Sequence, residues 1–275
     1  MKKISIIALI VIVLTACGDN EEKSAQARLQ AAQTALKQGD FSGAKLQIDS
    51  IKQLYPRSEA RKEGVKLMQQ IDLSEQQKSL AYLDSMLLIK QKEVDAIKGN
   101  YVFEKNAEYQ KIGNYFHPGQ TVEKTLHRSF LRSQVNELGV MTLTSVYCGR
   151  TNIHHSAVKV SDKEGNFAQT PPSRDSYETT DLGEKIEKSD YKMGNDGDVI
   201  GFIYLNKDHP IKVAYIGGDR AFSFTMSEAD RKALAAVYEL SQLLSSTEQI
   251  KKEIKEAQLK IAFVSRKMEE AKAKQ

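Results

Sequence analysis

Three spacings of apolar residues divide the chain into helix, strand and helix. Between residues 25 and 57, Ala27, Ala31, Ala35 and Leu36 mark one apolar helical face. Gly39-Asp40 interrupts it, Ala44, Ile48, Ile51 and Leu54 mark the next face, and Pro56 closes it, so the spacing predicts a helical hairpin. A helix over 58–98 follows, with Leu80, Leu83, Leu87, Val94 and Ile97 at three- and four-residue steps and Lys90 in one polar seam position. Ser74-Glu75-Gln76-Gln77 reads as a capping box that admits a kink near Leu73. At the other end, residues 227–274 contain no Gly or Pro. Leu240, Leu243, Thr247, Ile250, Ile254, Ala257, Ile261, Val264, Met268 and Ala271 alternate steps of three and four there, which is a coiled-coil seam. Ser227-Glu228-Ala229-Asp230 gives this helix an N-cap and an acidic first turn. At 1.5 Å per residue it spans about 70 Å, close to the length of the 58–98 helix. An antiparallel pairing of the two covers both seams; a homodimer through the C-terminal helix is the competing arrangement.

Residues 100–225 change character, with short β-branched or aromatic runs between Gly, Pro and Asn. Strands are predicted at Ala107–Phe116, Ser129–Val135, Val140–Cys148, Ser156–Val160, Asp198–Leu205, Ile211–Ile216 and Arg220–Thr225. Asn136-Glu137-Leu138-Gly139 is a four-residue hairpin loop, Asp162-Lys163-Glu164-Gly165 and Gly217-Gly218-Asp219 are turns, and Pro171 lies in a Pro-Pro loop. This many short strands at this spacing suggest an antiparallel sandwich or small open barrel. The expected fold is therefore α+β: an N-terminal helical hairpin and a long antiparallel coiled-coil stalk, with an inserted antiparallel β-sandwich-like domain.

The first 16 residues form a separate element. Lys2 and Lys3 precede an apolar run from Ile4 to Leu14. Its length of about 11 residues suits a secretory signal and falls short of the roughly 20 needed to cross a bilayer. Leu14-Thr15-Ala16-Cys17 resembles the lipobox of bacterial lipoproteins. That resemblance implies cleavage before Cys17, lipidation of its thiol, and membrane attachment through two or three acyl chains, palmitate among them, which hold far better than one. Gly18 stands where an aspartate would imply retention at the inner membrane, so the expected address is the outer membrane, facing the periplasm or the cell surface. Asp19, Asn20, Glu21 and Glu22 make an acidic tether over 17–24, either a surface-export signal or a solvated linker. The 25–57 hairpin resembles a single tetratricopeptide repeat, with Ala32 at the helix crossing, Gly39-Asp40-Phe41 at the turn, Ala44 and Ile48 on the second helix and Pro56 at the close. Arg28 replaces the early aromatic, and no second copy follows, whereas a binding array needs three or more.

Charge and composition exclude more than they select. The chain has 275 residues and net charge +4; removing Lys2 and Lys3 from 40 basic residues leaves 38 against 36 acidic, or +2. No basic stripe marks a nucleic-acid partner. Tryptophan is absent, and the two cysteines, Cys17 and Cys148, form no CxxC metal pattern. The densest polar cluster is Cys148-Gly149-Arg150-Thr151-Asn152-Ile153-His154-His155. A Cys148 thiolate with an imidazole from His154 or His155 would be a nucleophile–base pair, given hydrogen-bond reach; zinc would need a further ligand. Alternation puts Cys148 on one face with Val146, which favours a buried, structural thiol. Asn195-Asp196-Gly197-Asp198 resembles part of a calcium loop but lacks the later acid, so a glycine turn accounts for it. No cofactor and no metal is expected. The expected role is non-enzymatic, structural or protein-binding, with an envelope protein as partner. Alternatives are surface glycan or peptide uptake, for which Tyr101, Tyr109, Tyr115, Phe116, His154 and His155 are the binding candidates, and a thiol-dependent or hydrolytic enzyme centred on Cys148.

Overall fold

The computed structural model describes residues 4–273, with side chains from Asn20 onward. The Cys17 thiol and the leader side chains are not among the described side chains. No helix among the described residues is long and apolar enough to cross a membrane. The fold is α+β, with long N- and C-terminal helices and antiparallel sheets. The chain divides into two compact units, Met1–Ser85 with Lys252–Gln275, and Met86–Lys251.

The first unit contains α1 (Ile4–Lys37), α2 (Phe41–Leu54), the beginning of α3 (Glu59–Lys98) and the end of α5 (Glu228–Ala273). The turn between α1 and α2 works because Gly39 takes φ +77° and Asp40 caps α2, accepting the Gly43 N–H at 2.8 Å. Ala25, Leu29 and Ala32 of α1, Ala44, Ile48 and Ile51 of α2, and Ala60, Leu67 and Ile71 of α3 form one buried cluster. The apolar face of α1 is thus shifted from the expected one: Ala27 and Ala31 are exposed, and so is Leu54 at the end of α2. Leu29 decides the matter, because it buries far more apolar area than an alanine. The expected tether residues 20–24 are helical, and Glu22 has a partner; its carboxylate accepts the N–H groups of Glu59 at 2.9 Å and Ala60 at 3.2 Å, capping α3. Farther along, the α5 seam residues Ile254, Ala257, Ile261, Val264 and Met268 are buried or half-buried, while Lys255, Glu256, Lys260 and Lys267 are exposed.

The second unit carries ten strands. The first sheet holds β1 (Val102–Glu104), β2 (Asn114–Phe116), β3 (Phe130–Asn136), β4 (Met141–Gly149), β7 (Ser176–Asp181) and β8 (Glu184–Lys192), in the order β1-β2-β3-β4-β8-β7. The second holds β5 (Ala157–Ser161), β6 (Phe167–Gln169), β9 (Lys212–Ile216) and β10 (Ala221–Thr225), in the order β10-β9-β5-β6. All pairings are antiparallel. One core joins Leu131, Met141 and Leu143 of the first sheet to Val158, Val213 and Tyr215 of the second, with Val94 of α3 and Leu234, Val237 and Leu240 of α5.

Two expectations for this unit are corrected. Asp198–Leu205 is not a strand: Val199–Leu205 is a short helix, α4, whose Val199, Ile200 and Ile203 enter the core. Asp196 fixes its start by accepting the Gly194 N–H at 3.0 Å and the Ile200 N–H at 2.8 Å, and Asp198 takes φ +63°. A short apolar run does not distinguish buried strand from buried helix. Ala107–Phe116 supplies only Asn114–Phe116 as strand. β7 and β8 were unexpected because SYETTD and EKIEKSDYK are too polar to read as strands. Their hairpin closes through Leu182-Gly183, both with positive φ (45° and 86°), as a two-residue primed turn requires.

Candidate functional site

The two faces of the first sheet hold the titratable chemistry of the second unit. On the inner face, Ser145 of β4 and Glu187 of β8 flank His155, which sits just before β5. Ser145 Oγ lies 2.7 Å from His155 Nε2, and His155 Nδ1 lies 2.9 Å from Glu187 Oε2. These are the contacts of a serine–histidine–carboxylate triad, atom for atom. Their relative exposures are 0% for Ser145, 3% for His155 and 1% for Glu187. The Tyr215 ring stacks on the imidazole at 4.8 Å, and Ser145 Oγ has a second contact 3.3 Å away, the Ser189 carbonyl.

Glu187 is the anchor of this cluster. One carboxylate oxygen accepts the Ile153 and His154 N–H groups at 2.7 and 3.0 Å; the other accepts the His155 N–H at 3.0 Å along with the imidazole. Burial works against the charge, but this cage of donors more than offsets it, and the carboxyl titrates below its ordinary range. Burial outweighs the carboxylate for His155, which titrates below the ordinary imidazole value. A neutral ring then donates from Nδ1 to Glu187 and accepts the Ser145 hydroxyl at Nε2. His154, at φ +53°, points elsewhere: it is exposed, and its Nδ1 lies 3.0 Å from each oxygen of Glu178. Ligand atoms of His154, Glu178 and Glu187 all fall within 4.8 Å of one another. Each Glu187 oxygen already accepts two hydrogen bonds, however, which leaves that carboxylate no lone pair for a cation.

The outer face is organised differently. Cross-strand register aligns Arg132, Thr144 and Asp190 in one row, Phe130, Val146 and Lys188 in the next, and Cys148 with Ile186 in a third. These strands and the segment around Val122–Arg128 enclose a cavity of about 240 Å³. Arg128 forks onto Asp230 with two 2.9 Å bonds and lies over the Phe130 ring. Gln120 seals the strand edge beside it, donating to the Leu131 carbonyl at 3.0 Å and accepting the Ser133 N–H at 3.0 Å. Arg132 has no such partner among the described residues: its guanidinium lies over the Phe116 ring at 4.2 Å, and its Nε, like that of Arg128, is buried without a hydrogen-bond acceptor. Burial lowers its proton affinity. Thr144 Oγ1 donates to Asp190 at 2.5 Å, and His127 pairs with Glu184, which raises the imidazole's pKa.

The expected site residues are dispersed. Cys148 is half-buried on the outer face and donates to Glu184 Oε2 at 3.3 Å, while His155 belongs to the inner face; the structure does not bring the thiol to either histidine. Cys148 does share a face with Val146, but the core lies on the other side, with Tyr147. Burial, and then the Glu184 charge, push the thiol up to about 11. The aromatic candidates form no common shelf. Tyr101 packs on the core and donates to the Ala236 carbonyl at 2.7 Å, Tyr115 meets Phe103 at a tilt, Phe116 is buried beneath Arg132, and Tyr109 is 77% exposed. Ser145, Glu187 and Arg132 were missed. Ser145 and Glu187 are 42 residues apart in sequence, so only strand pairing unites them.

No protein-family model, curated protein or solved structure matches this chain.

Proposed function

We propose that this chain is a lipid-anchored, non-enzymatic interaction protein of the cell envelope, held at the outer membrane through Cys17, with its β unit as the binding part. The lipobox-like Leu14-Thr15-Ala16-Cys17 supports the address. The observation that carries the non-enzymatic reading is the burial of Ser145, His155 and Glu187. A triad without an exposed nucleophile has nowhere to place a substrate carbonyl, and its hydrogen bonds serve the core. The Cys148 thiol, pushed up to about 11, supports the same reading.

Two treatments of the full-length native protein test this. A fluorophosphonate probe should leave Ser145 unlabelled; stoichiometric labelling there, lost in His155→Gln, would install the hydrolase reading in its place. Membrane fractionation should find Cys17→Ser outside the lipidated membrane fraction, and its recovery there would overturn the anchor. A homodimer through α5 is favoured by Leu259 and Phe263, one helical turn apart and 62% and 51% exposed. Sedimentation of Phe263→Glu should then show a lighter species than the parent.

A further inference from the structure

The outer-face cavity differs from the rest of the second unit in how its charges are met. Elsewhere a buried charge has its counter-group in hand: Glu187 has three N–H groups and an imidazole, and Asp230 has Arg128, Gln120 and Ser227. Arg132 does not. Its guanidinium forms no hydrogen bond or ion pair among the described residues, and its Nε, like that of Arg128, is buried with no acceptor; it lies over an aromatic face, and the carboxylates of Glu104 and Asp190 act on it only through space. A ring face attracts a cation but supplies no in-plane acceptor for its N–H groups. Leaving a buried donor of this kind unmet is costly, and Arg132 lines the cavity. Lys188, one row along, also lines it and has no ion pair among the described residues. Arg128, already paired with Asp230, is a third lining cation; against the three the lining contributes one carboxylate, Asp181, exposed as Lys188 is, while Asp190 acts on both Arg132 and Lys188 from beside the cavity.

The rest of the lining has an apolar side, Phe130, Val146 and Ile186 from the strands with Val122 and Leu126 from the covering segment, and a polar side that includes His127, Arg128 and Thr144. An occupant therefore needs a flat, two-oxygen anion at one end, to match a guanidinium fork, and a short hydrocarbon portion at the other. The volume of about 240 Å³ lies under the roughly 300–1,000 Å³ typical of drug-sized ligands, which limits that portion to a few carbons. A phosphate group matches the fork but brings charged oxygen into the apolar end.

We propose that this cavity is a binding site for a small monocarboxylate with a short apolar chain, its carboxylate on Arg132 beside Thr144 and its chain against Phe130, Val146 and Ile186. This rests on the reading of the β unit as a binding module and names the ligand class.

The test is ligand-observed saturation-transfer NMR on the full chain in lipid nanodiscs, with empty nanodiscs subtracted, titrating hexanoate, hexanol and inorganic phosphate. Hexanoate should bind at least about tenfold more tightly than hexanol, the difference made by one charge-assisted pair, and phosphate should not displace it. Arg132→Lys should weaken hexanoate severalfold by removing the fork, and Val146→Phe should abolish binding by filling the cavity. Circular dichroism checks that each variant is folded; if one is not, the other and the hexanol comparison decide. Equal binding of hexanol, displacement by phosphate, or hexanoate binding that survives Val146→Phe would overturn the proposal. Absence of hexanoate binding, with Ser145 still inert to the fluorophosphonate, overturns the proposal and leaves the non-enzymatic reading standing. Labelling of Ser145 would remove that reading instead.

Discussion

The two faces of β4 carry alternate residues of one nine-residue strand, yet they solve opposite problems. Inward, Ser145 and Tyr147 meet His155, Glu187 and Tyr215, and the polar atoms close on one another inside the core. Outward, Thr144, Val146 and Cys148 line a cavity in which Arg132 is left without an acceptor. Triad-like geometry therefore says little about activity unless the nucleophile can be reached. An unmet buried donor beside open volume is a different case, because the molecule itself does not complete it.

The contrast can be broken most severely at Glu187. Glu187→Ala strands three backbone N–H groups and the His155 ring, so it should cost about 3–5 kcal/mol and lower the urea midpoint accordingly. A loss below about 1 kcal/mol would mean that the inner network is not a closed structural unit. Ser145→Ala removes one donor to His155 and should cost about 1–3 kcal/mol in the same assay. Cys148→Ala, across the strand, should cost less than either.

Acid acts on the two faces through two histidines with opposite linkage. His155 titrates below the unfolded value near 6.5. The unfolded chain takes up that proton first, so the His155 contribution is intact above about pH 6.5 and is lost as pH falls beneath it. His127, raised by Glu184, stabilises fully below the unfolded value and loses that contribution as pH rises through its folded value. Urea midpoints between pH 5 and 8 should therefore decline less toward acid in His155→Gln, and more in His127→Gln, than in the parent. The same slope in both variants would remove the distinction. The smallest effect is kinetic. With the thiol pushed up to about 11, iodoacetamide at neutral pH should modify Cys148 in the native chain at least about tenfold more slowly than in the urea-unfolded chain. Glu184→Gln should narrow that gap, since the carboxylate is one of the causes.

Much of the helical architecture was legible from local pattern. The predicted 58–98 and 227–274 helices agree with α3 and α5 to within a residue at each end. Gly39-Asp40 set the hairpin turn through a positive φ and a cap, and Asn136–Gly139 joined β3 to β4. Periodicity, capping and turn chemistry act over a few residues, so the sequence displays them directly. Period-2 alternation likewise separated Tyr147 from Val146 and Cys148. Which of those faces became the core was decided by the second sheet, whose Tyr215 and Val158 lie against the Tyr147 side. The polar strands β7 and β8 exist because β4 supplies a partner along the whole of β8. The Ser145–His155–Glu187 cluster and the Arg132 cavity arise from residues brought together by cross-strand register, which depends on where distant segments pack and has no local signature.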